Sequence, residues 1–275
     1  MTGDAGYLLD NRQAEAGRRF DALAALFDES SFRHLDNLGV SAGWHCWEVG
    51  AGGTTVSAWL AERVGPAGRV IATDIDLSWL AGTPDPGFEV LRHDVANEAP
   101  PEGAFDVIHA RLVLVHLPHR EQAMQSLVRA LRPGGWLLVE DADPALQPLI
   151  CPDEYGPDQQ LANRLRHGFR ALLAERQVDL AYGRTLPRRL REAGLTQVQA
   201  DAYFPMTSPA CALLEAATVE QVRDRLVSGG LATPAEIERH LDNVAAGRVD
   251  LATSPMISAW GRRASSAQDN SPAGR

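Results

Sequence analysis

The chain contains no lysine; all 26 of its basic side chains are arginines. Without lysine there is no Schiff-base amine, and ordinary pyridoxal-phosphate chemistry is excluded. A P-loop is excluded for the same reason, because its glycines need a lysine beside them to reach the phosphates. Cysteine is scarce too. Cys46, Cys151 and Cys211 are odd in number and far apart, so they make neither a disulfide framework nor a zinc motif and read as buried free thiols. No apolar run approaches the roughly 18 residues of a membrane span. Met1-Thr2-Gly3-Asp4 has none of the basic and apolar character of an export signal, which points to a cytoplasmic protein with no membrane association. Positive charge is the last deficit. A formal net charge of −10 disfavours a general nucleic-acid binder, which needs a basic face to neutralise phosphates. What is present is ordinary for a globular protein: 45% hydrophobic and 23% charged residues over 275 positions, enough to bury a large core.

Along the chain, apolar residues first recur at helical spacing over 7–28, with a second short helix expected over 30–38. The rhythm then changes to strands alternating with helices. Strands are predicted at 44–49, 69–74, 88–92, 105–110 and 136–141, with helices at 54–64, 76–81 and 119–131 between them. Such alternation implies right-handed crossovers and a parallel sheet covered on both faces. Beyond Asp143 the alternation breaks. Helical segments are expected at 158–177, 185–193 and 209–247, interleaved with strands at 198–204 and 256–261. The expected fold is α/β: a doubly wound, Rossmann-like, seven-stranded, mostly parallel sheet with added helical lid segments. Its expected organisation is an N-terminal helical lid over 1–40, a core over 41–263 with helical insertions at about 144–193 and 209–247, and a tail of small and polar residues over 264–275.

The densest signal is Trp47-Glu48-Val49-Gly50-Ala51-Gly52-Gly53-Thr54-Thr55, followed by Val70-Ile71-Ala72-Thr73-Asp74. A buried strand runs into a glycine turn and then a helix, whose first N–H groups and positive dipole end face any ligand on the turn. The next strand ends on an aspartate, placed to accept hydrogen bonds from a ribose diol. Together these describe a nucleoside-containing cofactor lying across the top of a parallel sheet. A dinucleotide fingerprint would require a third glycine at position 55, where this chain has threonine, and that lowers the case for NAD or FAD.

Glu48-Val49-Gly50-Ala51-Gly52 resembles motif I of class I S-adenosylmethionine-dependent methyltransferases. Asp74, the pair Asp94-Val95, Phe105-Asp106-Val107-Ile108-His109-Ala110-Arg111, and Leu131-Arg132-Pro133-Gly134-Gly135 resemble that family's later motifs in order and spacing. The resemblance covers about residues 40–143. Thr54 departs from the family's frequent third glycine, and Gly53 beside it would supply the missing flexibility.

The resemblance implies S-adenosyl-L-methionine as cofactor, S-adenosyl-L-homocysteine as product, and a role for each matching residue. Gly50, Gly52 and Gly53 would let the loop approach the methionine part of the cofactor, with Glu48 beneath it toward the amino group. Asp74 would hold the ribose hydroxyls and Ile75 would pack on the adenine. Asp94 would accept from the adenine amino group, and the Val95 N–H would bond the ring. Ala110 and Arg111 would lie beside the methionine moiety. Apart from the resemblance, a cofactor on an open sheet edge must be kept from water, so the N-terminal segment and 209–247 are expected to close over it, with Tyr7 reaching the methionine end.

The reaction implied is in-line methyl transfer to an oxygen or nitrogen of a small-molecule metabolite, of the kind found in secondary metabolism. A general base helps only where the nucleophile must lose a proton. Among His109, His116, His119, Glu140, Asp141 and Asp143 at the tips of the fourth and fifth strands, His116 ranks first and Asp141 second. His116-x-x-His119 has no partner ligands marked by spacing, so no metal is expected. The acceptor is the expected partner, to a monomer or homodimer. Two alternatives share the fold: a protein using bound cofactor without transferring its methyl group, as in cyclase-type catalysis, and a non-catalytic binding module.

Overall fold

The computed structural model describes residues 14–80 and 87–265. Tyr7 and most of the expected tail therefore lie outside the described residues. The chain divides into two compact units. One, the sheet unit, comprises Ser30–Asp141, Gly183–Asp201 and Ile257–Arg275; the other, the helical unit, comprises Met1–Glu29, Ala142–Tyr182 and Ala202–Met256.

The strands are β1 (His45–Val49), β2 (Arg69–Asp74), β3 (Glu89–Arg92), β4 (Phe105–Arg111), β5 (Leu131–Ala142), β6 (Thr196–Tyr203) and β7 (Met256–Arg262). They form one seven-stranded sheet in the order β3-β2-β1-β4-β5-β7-β6. The pairs β1–β2, β1–β4, β2–β3 and β4–β5 are parallel. At the other end the sheet turns antiparallel: the start of β5 meets the end of β7, where Gly134 donates to the Arg263 carbonyl and Arg263 to the Gly135 carbonyl. Central strands β1 and β4 are buried almost throughout, whereas β3 and β6 at the two edges are largely exposed. This is the burial that crossovers on both faces produce.

Helices α1 (Ala14–Asn37), α2 (Thr55–Val64), α3 (Arg120–Ala130) and α5 (Leu186–Glu192) precede or link these strands. In the sheet unit, Leu35, Val40, Val56, Leu60 and Val64 pack with Cys46, Val70, Ala72, Val107 and Leu138 into one core. The helical unit is built from α4 (Pro157–Glu175), α6 (Pro209–Ser228) and α7 (Pro234–Ala245). Its own core joins Leu161, Leu165, Leu172 and Leu173 to Val219, Val222, Leu226 and Ile237. No helix among the described residues is long and apolar enough to cross a membrane.

Three local expectations are revised. The helices expected over 7–28 and 30–38 are one element where described. Ser30 and Ser31 do not interrupt α1, since neither glycine nor proline breaks the backbone ladder there. No helix forms over 76–80; Asp76 instead accepts the Ser78 N–H at 3.0 Å and the Ser78 hydroxyl at 2.6 Å, a side-chain turn that competes with helix. β5 begins at Leu131, five residues early. Phe105 pairs with Leu131 but Val107 with Trp136, so Arg132-Pro133-Gly134-Gly135 bulges out of the ladder.

Candidate cofactor and active site

The sheet order places β2 on one side of β1 and β4 on the other, so the strand order reverses at β1. In open α/β sheets the crevice outside the carboxyl ends of the strands at such a reversal is where ligands bind. Glu48 and the glycine loop follow β1, Asp74 ends β2, Asp94 follows β3, and Ala110 and Arg111 end β4. All lie in the sheet unit, at one end of the sheet.

The loop conformation requires its glycines. Gly50 has φ +63° and Gly52 φ +53°, a region that costs other L-residues about 1–2 kcal/mol. At Gly50 space forbids a side chain as well, because a Cβ would collide with the Val113 side chain. Val113 is brought there by the turn after β4, where Leu112 itself adopts φ 57° and donates its N–H to the Glu140 carbonyl at 2.8 Å. The loop is tied to β2 twice. Ala51 N–H donates to the Thr73 carbonyl at 2.9 Å, and Gly52 N–H to Asp74 Oδ2 at 3.1 Å. Beyond the loop, Thr54 precedes α2 without a side-chain cap, and no acidic residue lies in the first turn. The helix's first N–H groups thus have no side-chain acceptor there.

Asp74 is buried, and its Oδ1 also accepts the Asp76 N–H at 3.0 Å. Burial raises its pKa, and these backbone hydrogen bonds partly counter the rise. Next to it Ile75 is 61% exposed, an apolar side chain standing in solvent beside a polar loop. Asp94 caps its own turn, accepting the Ala96 N–H at 2.9 Å and the Asn97 amide at 2.8 Å; the Asn97 bond lowers its pKa. Val95 is nearly buried. Arg111 donates from Nη1 to Ser31 Oγ on α1 at 2.9 Å.

The two residues ranked as bases differ sharply. His116 is half-buried and ends a 3₁₀ turn, Leu114–His116, with its N–H bonded to the Val113 carbonyl at 3.1 Å. Asp141 is fully buried, and neither carboxylate oxygen has a hydrogen bond of good geometry. Burial pushes its pKa well above the usual carboxylate range, with only the nearby Val115 N–H and Arg120 opposing. Of the other strand-tip candidates, His109 and Glu140 are sealed in the sheet unit, and Asp143, in the helical unit, accepts the Leu146 N–H at 3.0 Å. His119 is exposed at the start of α3.

Beneath the loop lies a polar cluster that sequence reading only half anticipates. Its centre is His109, bonded to Glu48 and Glu140. Ser31, His34, Asp201 and Ser258 complete it, and nothing in the sequence marks them. The buried face of α1 that carries Ser31 and His34 also carries Arg19 and Ser30, so the pair does not stand out in the sequence.

Comparison with known proteins matches residues 10–200 to a family model described as a methyltransferase domain. Methyltransferase str2 of Strobilurus tenacellus is 33% identical over 146 residues, covering 50% of this chain and 48% of that protein. The ubiquinone/menaquinone biosynthesis C-methyltransferase UbiE of Hahella chejuensis is 26% identical over 159 residues, covering 50% of this chain and 64% of that protein. The chain thus spans about half to two thirds of the length of these relatives. Among solved structures, phosphoethanolamine N-methyltransferase 2 of Haemonchus contortus, in complex with S-adenosyl-L-methionine, superposes with a TM-score of 0.55 at 14% identity, covering 94% of this chain and 60% of that one. At that identity the likeness is one of fold. The family model spans well over half of the residues, in the region that holds the glycine loop and all the strand-end residues described above. This chain belongs to the class I S-adenosylmethionine-dependent methyltransferase family.

Proposed function

We propose that this protein transfers the methyl group of S-adenosylmethionine to an oxygen or nitrogen of a small-molecule metabolite. One observation carries the reading: the loop Gly50-Ala51-Gly52-Gly53, pinned to Asp74 at the strand reversal, with exposed Ile75 beside it and an uncapped helix start behind it. A polar anchor, an apolar wall and free backbone N–H groups are what a ribose, an adenine and a carboxylate need side by side.

The residues present suit this cofactor. Asp74 would take the ribose hydroxyls with the lone pairs that Gly52 and Asp76 leave. Ile75 would cover one adenine face. Asp94 and the Val95 N–H would read the adenine edge. Glu48 would face the amino group, with Ala110 and Arg111 on the far side of the methionine chain. The bound cofactor supplies an electrophilic methyl on a sulfonium centre that leaves uncharged. The protein's part is alignment and exclusion of water, and well-oriented groups can contribute ~7–11 kcal/mol this way.

Where the acceptor must lose a proton, His116 is the better base. Burial raises the pKa of Asp141 well above the usual carboxylate range and so disfavours the ionised form that a base needs. His116→Ala is expected to lower kcat by ~10²-fold with cofactor affinity nearly unchanged. A variant within threefold of the parent in single-turnover assays would leave alignment as the whole mechanism.

The test of the reading itself is direct. Calorimetry should show binding of S-adenosylmethionine and S-adenosylhomocysteine and none of NAD. Methyl-labelled cofactor, offered with a panel of phenols, carboxylic acids and amines, should yield a labelled product. Tight NAD binding without S-adenosylmethionine binding would overturn it.

A further inference from the structure

The cluster beneath the glycine loop is made of charged and polar groups where apolar side chains would serve packing alone. Glu48 on β1 and His109 on β4 are register partners, so their side chains leave the same face of the sheet. His109 is completely buried; its Nδ1 lies 2.6 Å from Glu48 Oε2 and its Nε2 3.1 Å from Glu140 Oε2. An imidazole with carboxylate oxygens on both nitrogens is satisfied only when both nitrogens carry protons.

Glu140 is secured from several sides. Its Oε1 accepts the Ser258 hydroxyl of β7 at 2.6 Å and stands 3.4 Å from His34 Nδ1, while its Oε2 also accepts the Ser31 hydroxyl of α1. Ser31 in turn accepts from Arg111 of β4, and His34 Nε2 lies 3.0 Å from Asp201 of β6. Glu48 is different. His109 holds its Oε2, the one hydrogen bond to this carboxylate among the described residues. The other oxygen, Oε1, is thereby left for a cationic or N–H partner from outside the protein.

We propose that His109 is a positioning residue for the cofactor: bridging Glu48 and Glu140 through both ring nitrogens, it fixes the Glu48 carboxylate beneath the glycine loop with Oε1 left to accept the ammonium group of the cofactor's methionine moiety. The inference rests on the cofactor reading above and goes beyond it by assigning work to a residue that touches no ligand. Burial alone would lower the pKa of His109. The charge of Glu48 and the hydrogen bonds to Glu140 and Glu48 outweigh it and carry the value to about 9, so the ring is charged at neutral pH.

The experiment uses the full-length chain and two probes. S-adenosylhomocysteine carries the amino-acid part; 5′-methylthioadenosine has the same nucleoside and lacks it. At pH 7.5, His109→Gln should weaken S-adenosylhomocysteine about tenfold, and leave 5′-methylthioadenosine within twofold of the parent. Glu140→Gln, which keeps the shape and removes one anchor of the imidazole, should show the same selectivity at smaller size. Equal losses for the two probes, or no loss, would overturn the inference. Should neither variant fold, nitrogen NMR of the parent decides. Both His109 ring nitrogens should be protonated at pH 7.5, and their resonances should respond to S-adenosylhomocysteine but not to 5′-methylthioadenosine. A neutral ring, or an equal response to both, would overturn it. Failure of the parent to bind either probe would instead reject the cofactor reading.

Discussion

Gly50 is constrained in two independent ways, by its backbone conformation and by the side chain of Val113 against it. Gly50→Ala is therefore expected to destabilise the protein by about 1–2 kcal/mol from the left-handed φ alone, and to weaken S-adenosylhomocysteine by more than tenfold. Adding Val113→Ala removes the collision but not the backbone cost, so calorimetry should recover part of the affinity and not all. Full recovery would mean that φ matters little. Asp74 combines two duties, holding the loop through Gly52 and offering its remaining lone pairs. Asp74→Ala loses charge-assisted hydrogen bonds of ~1.5–3 kcal/mol each at most. Cofactor affinity should fall at least tenfold while circular dichroism stays unchanged. The importance of both positions is legible in the sequence, because a glycine between a strand and a helix, and an aspartate ending the next strand, point to backbone geometry and to a ribose. The collision partner Val113 is not, since it lies 63 residues further on, across the turn that Leu112 makes.

At the scale of elements, the alternation of apolar runs with helical periods reveals the strands to within a few residues, because each buried strand must be apolar on both faces. It fails where local chemistry competes. Asp76 makes a turn in place of a helix, and a Pro-Gly-Gly bulge sits inside β5 instead of ending α3. The helix ends divide in a useful way. α2, in the sheet unit, begins without a side-chain cap, whereas α7, in the helical unit, begins with a capping box: Thr233 Oγ1 accepts the Glu236 N–H at 3.3 Å, and Glu236 Oε2 accepts the Thr233 N–H at 3.0 Å. Thr233→Ala should cost about 1 kcal/mol in chemical denaturation and leave cofactor affinity unchanged. A stability loss that came with an equal loss of binding would show that α7 and the cofactor site are energetically coupled.

For the whole molecule, buried ionisable groups set the dependence of stability on pH. His109 has a folded pKa of about 9 against about 6.5 unfolded. Its contribution is complete below 6.5 and is lost as pH rises through 9, about 3 kcal/mol in all. Asp141, raised well above its ordinary value by burial, acts in the same direction: its contribution is complete below the unfolded carboxylate pKa of about 3.9 and declines as pH rises through the folded value. Glu140 is opposite. The hydrogen bond from His109 and the nearby His34 overcome burial and hold its pKa low, so its contribution is present above about 4.3 and is lost only at strongly acid pH. Stability measured by unfolding from pH 4 to 9.5 should thus fall toward the alkaline end. Asp141→Asn removes one of the two alkaline-side terms, so its Tm should gain on the parent as pH rises from 4 to 8. A constant Tm difference across that range would mean that Asp141 is ionised in the folded state.

The sequence by itself determined the family, the parallel α/β core and the order of the residues along the crevice. These depend on short-range patterns: glycines at a strand end, an acid after the next strand, apolar runs of strand length, and the absence of lysine. Only the tertiary structure decided which polar groups meet. Ser31 and Glu140 are 109 residues apart, and Ser258 and Glu140 are 118 apart, yet they share one buried carboxylate. The same holds for the protonation of His109 and Asp141. Asp141 and Glu140 are neighbours in the chain, but one is buried with neither oxygen well hydrogen-bonded and the other lies between two imidazoles, and a pKa answers to what surrounds a group in space.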